Sequence, residues 1–80
     1  MSVPGGFPRN FDDELGVLGE RLRAARKGLG LSQRDLARQL DTAVSTVSDI
    51  ENALVNPGVL TLMRLAEALN MELSDLFRDM

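Results

Sequence analysis

Ser45, Thr46, Ser48, Asp49 and Asn52, with Gln33, Arg34 and Arg38 just upstream, are the side chains of this 80-residue chain whose types and spacing suit them to chemistry. That chemistry is hydrogen bonding rather than bond breaking. The sequence has no Cys and no His, which removes thiol nucleophiles, imidazole bases, disulfides and the usual nitrogen and sulfur zinc sites together. Two carboxylates would suffice for hydrolysis in principle, but none of the Asp or Glu residues sits in an evident cleft. No catalytic residue, metal or cofactor is therefore expected, and the chain does not read as an enzyme. On a helix at 100° per residue with Val47 as reference, Ala43, Ile50 and Glu51 lie within about 60° of Val47, while Ser45, Ser48, Asp49 and Asn52 lie on the other side. Small hydroxyl and amide groups let a helix sit close to base edges in a major groove, where Ser or Thr pairs with several bases, Asn favours adenine and a carboxylate accepts from cytosine. An ordinary solvated helix surface has the same composition, and spacing alone does not separate the two.

The elements that would hold these residues are legible between Leu31 and Asn52. Ser32 followed by Asp35 is an acidic variant of the capping box, and Leu36, Ala37 and Leu40 follow at helical spacing. Asp41 and Thr42 break that pattern, and a second apolar period begins at Ala43, Val47 and Ile50. The result is a helix, a tight turn and a second helix over about residues 43–52. Upstream, a longer helix begins at Asp12 or Asp13, either of which can cap it, and runs to about Lys27 with Leu15, Leu18, Leu22, Ala25 and Leu29 on one face. Gly28 and Gly30 end it, Gly30 in the left-handed position and Leu31 as its apolar lock. Downstream, Ala53 to Pro57 forms a loop, a fourth helix spans about Val59 to Leu69 with Asn70 as its left-handed stop, and Ser74 caps a short fifth helix that brings Leu76 and Phe77 to the core. Leu54, Val55, Leu60, Met63 and Met71 are left over as apolar surface suited to a dimer contact, with one or two of them needed in the core.

Composition narrows the function classes further. Residues 1–11 hold Pro4, Gly5, Gly6 and Pro8 and read as a flexible arm, with residues 12–80 as one domain. A domain this short buries only about 60% of its unfolded surface, so a dimer contact or a ligand matters to its stability. No apolar run approaches the roughly 20 residues of a membrane span, and the N-terminus lacks a basic region followed by an apolar one, so the expected location is cytoplasmic. Net charge is −3 with a sequence pI of 4.7, which argues against a polyanionic partner. The distribution argues otherwise: residues 21–38 hold Arg21, Arg23, Arg26, Lys27, Arg34 and Arg38 against Asp35 alone, whereas residues 39–80 hold Arg64 and Arg78 against seven acids. A molecule with one basic end is compatible with nucleic acid at that end.

The motif Leu31-Ser32-Gln33 through Leu36-Ala37, then Ser45-Thr46-Val47-Ser48 and Ile50-Glu51-Asn52, resembles the helix-turn-helix of the Cro and phage-repressor (Xre-like) family. The similarity extends over about residues 18–77, with Leu18 to Arg23 and Arg26 matching the family's first helix and Asn56-Pro57, Thr61-Leu62, Leu65-Ala66, Ala68-Leu69 and Leu76-Phe77 its fourth and fifth. This resemblance implies an all-α, five-helix, lambda-repressor-like DNA-binding domain with the helix-turn-helix in helices 2 and 3, at about residues 33–52. It implies a sequence-specific bacterial transcription regulator, a repressor or similar protein associated with the nucleoid, that binds double-stranded DNA as a homodimer on a palindromic operator. Gln33 would meet a phosphate at the start of helix 2, with Arg34 and Arg38 adding charge, while Val44, Ser45, Thr46, Ser48 and Asp49 face base edges and Asn52 lies near a phosphate. Arg26 and Glu51, each about 40° from the inward residues Leu22 and Val47, would form the family's partly buried ion pair between helices 1 and 3.

Three residues depart from the family's pattern. Ala43 stands where the family has Ser or Thr, so capping of helix 3 falls to Thr42 or is lost at about 1 kcal/mol. Ala53 stands where the family has Gly, so Asn52 is expected to take the left-handed conformation and turn its side chain from the phosphate. Helix 3 has no Arg or Lys facing outward and does have Asp49, which repels phosphate and makes binding weaker or more conditional. The alternative these departures keep open is a helical protein-interaction module, an adaptor or antirepressor of the same fold that no longer reads DNA.

Overall fold

Leu22, Leu36, Val47, Leu65 and Leu76 are the largest side chains fully withdrawn from solvent, and each comes from a different helix. A computed structural model describes residues 11–80, and among them the chain forms α1 (Asp12–Gly28), α2 (Gln33–Gln39), α3 (Val44–Glu51), α4 (Val59–Ala68) and α5 (Leu73–Leu76), with no strand. The expected all-α, five-helix architecture is thus observed. The arm expected over residues 1–11 lies, apart from Phe11, outside the described residues. One apolar core joins Leu18 and Leu22 of α1, Leu36 and Ala37 of α2, Val47 and Ile50 of α3, Leu62, Leu65 and Ala66 of α4 with Leu69 just after it, and Leu76 of α5. The helical spacing of these residues on each segment makes one face of every helix apolar, and burying five such faces together is the main driving force available to so short a chain. No helix among the described residues is long and apolar enough to cross a membrane.

Four helices stop by the same device. Gly30 (φ 73°), Asp41 (φ 54°), Ala53 (φ 60°) and Asn70 (φ 57°) each take the left-handed conformation one residue past a helix C-cap. The next amide in each case donates back to a carbonyl of the last turn: Leu31 to Arg26 at 3.1 Å, Thr42 to Ala37 at 2.9 Å, Leu54 to Asp49 at 2.8 Å and Met71 to Ala66 at 2.8 Å. Such bonds satisfy carbonyls that a helix end would otherwise leave without a partner. Gly30 and Asn70 are where the sequence places them. At the end of α3 the left-handed residue is Ala53 and not Asn52, whose φ is −94°, because the αL position must follow the C-cap by one residue whatever occupies it.

The starts of the helices differ more from expectation. Phe11, not Asp12 or Asp13, occupies the N-cap position of α1 and makes no side-chain cap, so both acids sit in the first turn, where they favour the positive end of the helix dipole. Ser32 caps α2 as expected: its Oγ accepts from the Asp35 amide at 2.9 Å and the Asp35 carboxylate accepts from the Ser32 amide at 2.9 Å. α3 starts at Val44 with Ala43 in the cap position and no side-chain cap, so Thr42 does not substitute. α5 starts after Glu72 rather than Ser74, and the Asp75 carboxylate accepts from the Glu72 amide at 2.9 Å. That frame buries Leu76 completely and leaves Phe77 exposed, against the expectation that both reach the core. Leu29 is also exposed, since it is the α1 C-cap and no longer on the buried stripe. Leu54, Val55, Leu60 and Met63 are exposed as expected, Val59 joins them, and Met71 packs against the core instead.

Candidate nucleic-acid interface

α3 is held against α1 by a close approach and by an ion pair, and both come from a single stripe of α1. Gly19 is buried, and a Cβ there would lie 2.9 Å from the Ile50 carbonyl oxygen and nearer still to that of Glu51, so only glycine lets the two backbones come this close. Two turns further along α1, the Arg26 guanidinium grips the Glu51 carboxylate with both sides of its fork, Nε donating to Oε2 at 2.7 Å and Nη2 to Oε1 at 3.0 Å. Arg26 Nη1 donates to the Leu31 carbonyl at 2.7 Å, which ties the α1–α2 loop into the same cluster. The side chains of Arg26 and Glu51 are only 8% and 1% exposed, so the expected pair is present and buried. Glu51 Oε1 also accepts from Gln33 Nε2 at 3.0 Å and from Arg23 Nε at 3.4 Å.

These contacts decide the ionisation of the pair. Burial by itself pushes the Glu51 carboxyl upward, but the hydrogen bonds from Arg26 and Gln33, together with the Arg26 charge, more than reverse this and leave it below its ordinary 4.5. The hydrogen bond to Glu51 raises the Arg26 guanidinium above its ordinary value, against the lowering effect of burial. Asp35 and Asp75 are also lowered, each chiefly by the backbone amide it caps, that of Ser32 and of Glu72 respectively.

α2 and α3 pack together as the helix, turn and helix read from the sequence. On α3, Val44, Ser45 and Asn52 are exposed, and Thr46, Ser48 and Asp49 are half-buried at the edges of the polar face. Thr46 turns towards α4 and lines a recess with Thr61 and Arg64. Ser48 and Asn52 meet on the opposite flank, where Asn52 Nδ2 donates to Ser48 Oγ at 3.3 Å. On α2, Arg34 and Arg38 are exposed, and Arg38 keeps a loose contact of 3.8 Å with Asp35. Gln33 is half-buried with its side-chain amide committed to Glu51.

The basic end is narrower than its six cations suggested. Arg26 is neutralised within the core, and Arg21 reaches the far flank of α1, where Nη1 donates to the Asp75 and Leu76 carbonyls at 3.3 and 3.1 Å. Arg23 reaches the end of α3, Arg34 and Arg38 lie on α2, and Lys27 is exposed one turn beyond Arg23 on α1. Sequence reasoning used Arg23 as charge and used both Arg23 and Gly19 in the match to the family's first helix, but gave neither a contact; the signal for both was their place on α1, with Gly19 about 60° and Arg23 about 100° from Leu22 on the side that carries Arg26.

The helix-turn-helix family matches this chain over residues 22–76, which takes in α2, α3, α4 and α5 whole and the end of α1. The chain belongs to that family, in its Cro-like and Xre-like branch. Among curated relatives, the HTH-type transcriptional regulator PuuR of Escherichia coli is 36% identical over 69 residues, 86% of this chain and 37% of that protein. An uncharacterized HTH-type transcriptional regulator of Sinorhizobium fredii is 37% identical over 54 residues, 68% of this chain and 28% of that protein. The chain thus spans about a third of the length of the curated regulators it matches. Among solved structures, the restriction-modification controller protein C.AhdI of Aeromonas hydrophila superposes with a TM-score of 0.78 at 35% identity, covering 81% of this chain and 98% of that one. The hypothetical transcription factor NHTF from Neisseria gives 0.77 at 29% identity over 94% of this chain and 85% of its own. These relatives are transcriptional regulators, not enzymes.

Proposed function

We propose that this helix-turn-helix domain regulates transcription by binding double-stranded DNA sequence-specifically, as a homodimer on a two-fold operator, in the cytoplasm at the nucleoid. The observation that carries the reading is α3 itself: its polar face of Ser45, Ser48, Asp49 and Asn52 is free of the core, while Glu51 on its inner face locks it to α1 and α2. A recognition helix must be rigid relative to the surface that grips the backbone, and that lock supplies the rigidity. In this reading Val44, Ser45, Ser48 and Asp49 face base edges with Thr46 at the margin of that face beside α4, and Arg34, Arg38, Asn52 and the second amide hydrogen of Gln33 position the domain on phosphates. No chemical step is involved; occupancy of the operator excludes or recruits polymerase. Leu54, Val55, Val59, Leu60 and Met63 offer the apolar surface that a homodimer needs.

The acidity of the chain and the absence of Lys or Arg on α3 favour a second reading, a protein-interaction module of the same fold. Mobility shift on random-sequence duplex at low salt, followed by selection of bound sequences from a random pool, separates the two. Enrichment of an imperfect palindrome supports regulation through DNA. No shift at any protein concentration supports the interaction module.

A further inference from the structure

Arg21 and Arg23 lie two residues apart on α1 and therefore point about 200° apart around it. Arg21 serves the end of α5; Arg23 is drawn over the C-terminal end of α3, where Nε donates to Glu51 Oε1 at 3.4 Å and Nη2 to Asn52 Oδ1 at 2.7 Å. We infer that Arg23 is a DNA-contacting residue supplied by α1, gripping a phosphate at the end of the recognition helix and fixing the Asn52 and Ser48 side chains beside it. This rests on the DNA-binding reading above and adds a contact that the helix-turn-helix itself does not contain.

Charge is the first argument. Arg26 and Arg23 both bind the single carboxylate of Glu51, and Arg26 alone already satisfies it with a two-pronged contact, so the cluster keeps one uncompensated positive charge. The unneutralised guanidinium is the more open one, since the Arg23 side chain is 37% exposed and that of Arg26 only 8%. Donor supply is the second argument. A guanidinium has five N–H donors, and Arg23 spends one on Glu51 and one on Asn52, which leaves three, two of them on Nη1. Arg34, Arg38 and Lys27 are exposed and must be ordered when they bind, whereas Arg23 is already fixed by two partners in a planar fork that matches phosphate geometry.

The same contact sets the polarity of α3. Arg23 can only donate, so Asn52 must present its Oδ1 to Arg23 and its Nδ2 to Ser48 Oγ, as the 2.7 and 3.3 Å distances show. With an acceptor site on Ser48 occupied, its hydroxyl hydrogen is left to donate outward, towards base acceptors such as purine N7 or thymine O4.

The test compares Arg23→Gln and Arg23→Lys with the parent, titrating a random-sequence duplex at several salt concentrations after thermal melts have established that each variant folds. The slope of log affinity against log salt should be shallower by about 0.9 per subunit in Arg23→Gln and return to the parent's value in Arg23→Lys. In the parent protein, the same duplex should protect Arg23 from phenylglyoxal and leave Arg21 as reactive as before. A folded Arg23→Gln with the parent's slope, or an Arg23 modified equally with and without DNA, overturns the inference. If Arg23→Gln does not fold, the protection measurement on the parent decides alone. A parent that binds no duplex at low salt overturns the DNA reading as well, whereas a parent that binds with Arg23 unprotected overturns this inference only.

Discussion

At the scale of the residue, Glu51 and Asp49 are two carboxylates on one helix with opposite tasks. Glu51 points inward and is stabilised as an anion by Arg26, Gln33 and Arg23. Removing it leaves Arg26 buried and unpaired, so Glu51→Ala should cost roughly 3 to 5 kcal/mol, much of the 5 to 15 kcal/mol that a typical domain has in total. A melt within a degree or two of the parent would count against the pair as a structural lock. Because the folded state holds this carboxyl below its ordinary 4.5, its stabilisation is complete above that value and is lost as pH falls through the lowered one. Asp35 and Asp75 are shifted in the same direction and add to the acid sensitivity, so Glu51→Gln is needed to isolate one group: its stability should decline less steeply below pH 4.5 than the parent's, and parallel curves would remove Glu51 from the effect. Asp49 is half-buried on the outer side, able to accept from a cytosine amino group but repelling phosphate at every sequence. Asp49→Ala should therefore bind random DNA more tightly while binding to the operator weakens or stays level, a discrimination of about 1 to 3 kcal/mol. Both dissociation constants measured at one salt concentration decide this, and a proportional change in the two would mean that Asp49 reads no base.

At the scale of the element, what the sequence made legible is what depends on local pattern. The capping box at Ser32 and Asp35, the stop at Gly30 and the apolar period of each helix are short-range rules, and they placed five helices to within a residue or two. The Arg26 and Glu51 pair was reached through the family resemblance together with the helical wheel. Misplaced features were those set by how helices meet. Which residue starts α5 is decided by Leu76 filling the core, and a Glu72 frame does so at the expense of Phe77. Gly19 makes sense only once the Glu51 and Ile50 carbonyls lie against it, and Arg23 only once Asn52 is within its reach. Ala53 shows the limit from the other side: sequence reasoning noted that Gly was missing and moved the strained conformation to Asn52, but the backbone kept it in place with φ 60° on a residue carrying a Cβ. Relief of that strain, less the extra freedom of glycine in the unfolded chain, should make Ala53→Gly more stable by about 0.5 to 1 kcal/mol, or a rise of a few degrees in Tm. An unchanged or lower Tm would mean that the left-handed turn costs nothing here.

At the scale of the whole molecule, the question is how a domain with few cations at its reading face reaches useful affinity. One subunit offers Arg23 at the end of α3, Arg34 and Arg38 on α2 and Lys27 one turn beyond Arg23, which in the proposed complex would supply about 3 to 5 phosphate contacts with a salt slope of about −0.9 for each. In the proposed homodimer, two subunits related by a two-fold axis would double that number and would place two recognition helices about 34 Å apart, so that successive turns of the major groove are read together. The joining surface must be apolar and self-complementary, on the order of 800 Å² per partner. Leu60, 72% exposed at the start of α4 with Val59 and Met63 on the same side, is the best-placed probe of it, because a charge there disturbs no buried contact of the monomer. Leu60→Glu should keep the parent's helical content and melt like an isolated domain, yet sediment as a monomer where the parent is dimeric. On DNA, its binding isotherm should lose cooperativity, and its footprint should shrink to a half-site at protein concentrations where the parent covers both. If Leu60→Glu sediments and binds as the parent does, the dimer contact lies on another face; if the parent itself saturates a single half-site one to one, the two-fold arrangement fails and affinity must come from a partner outside these residues.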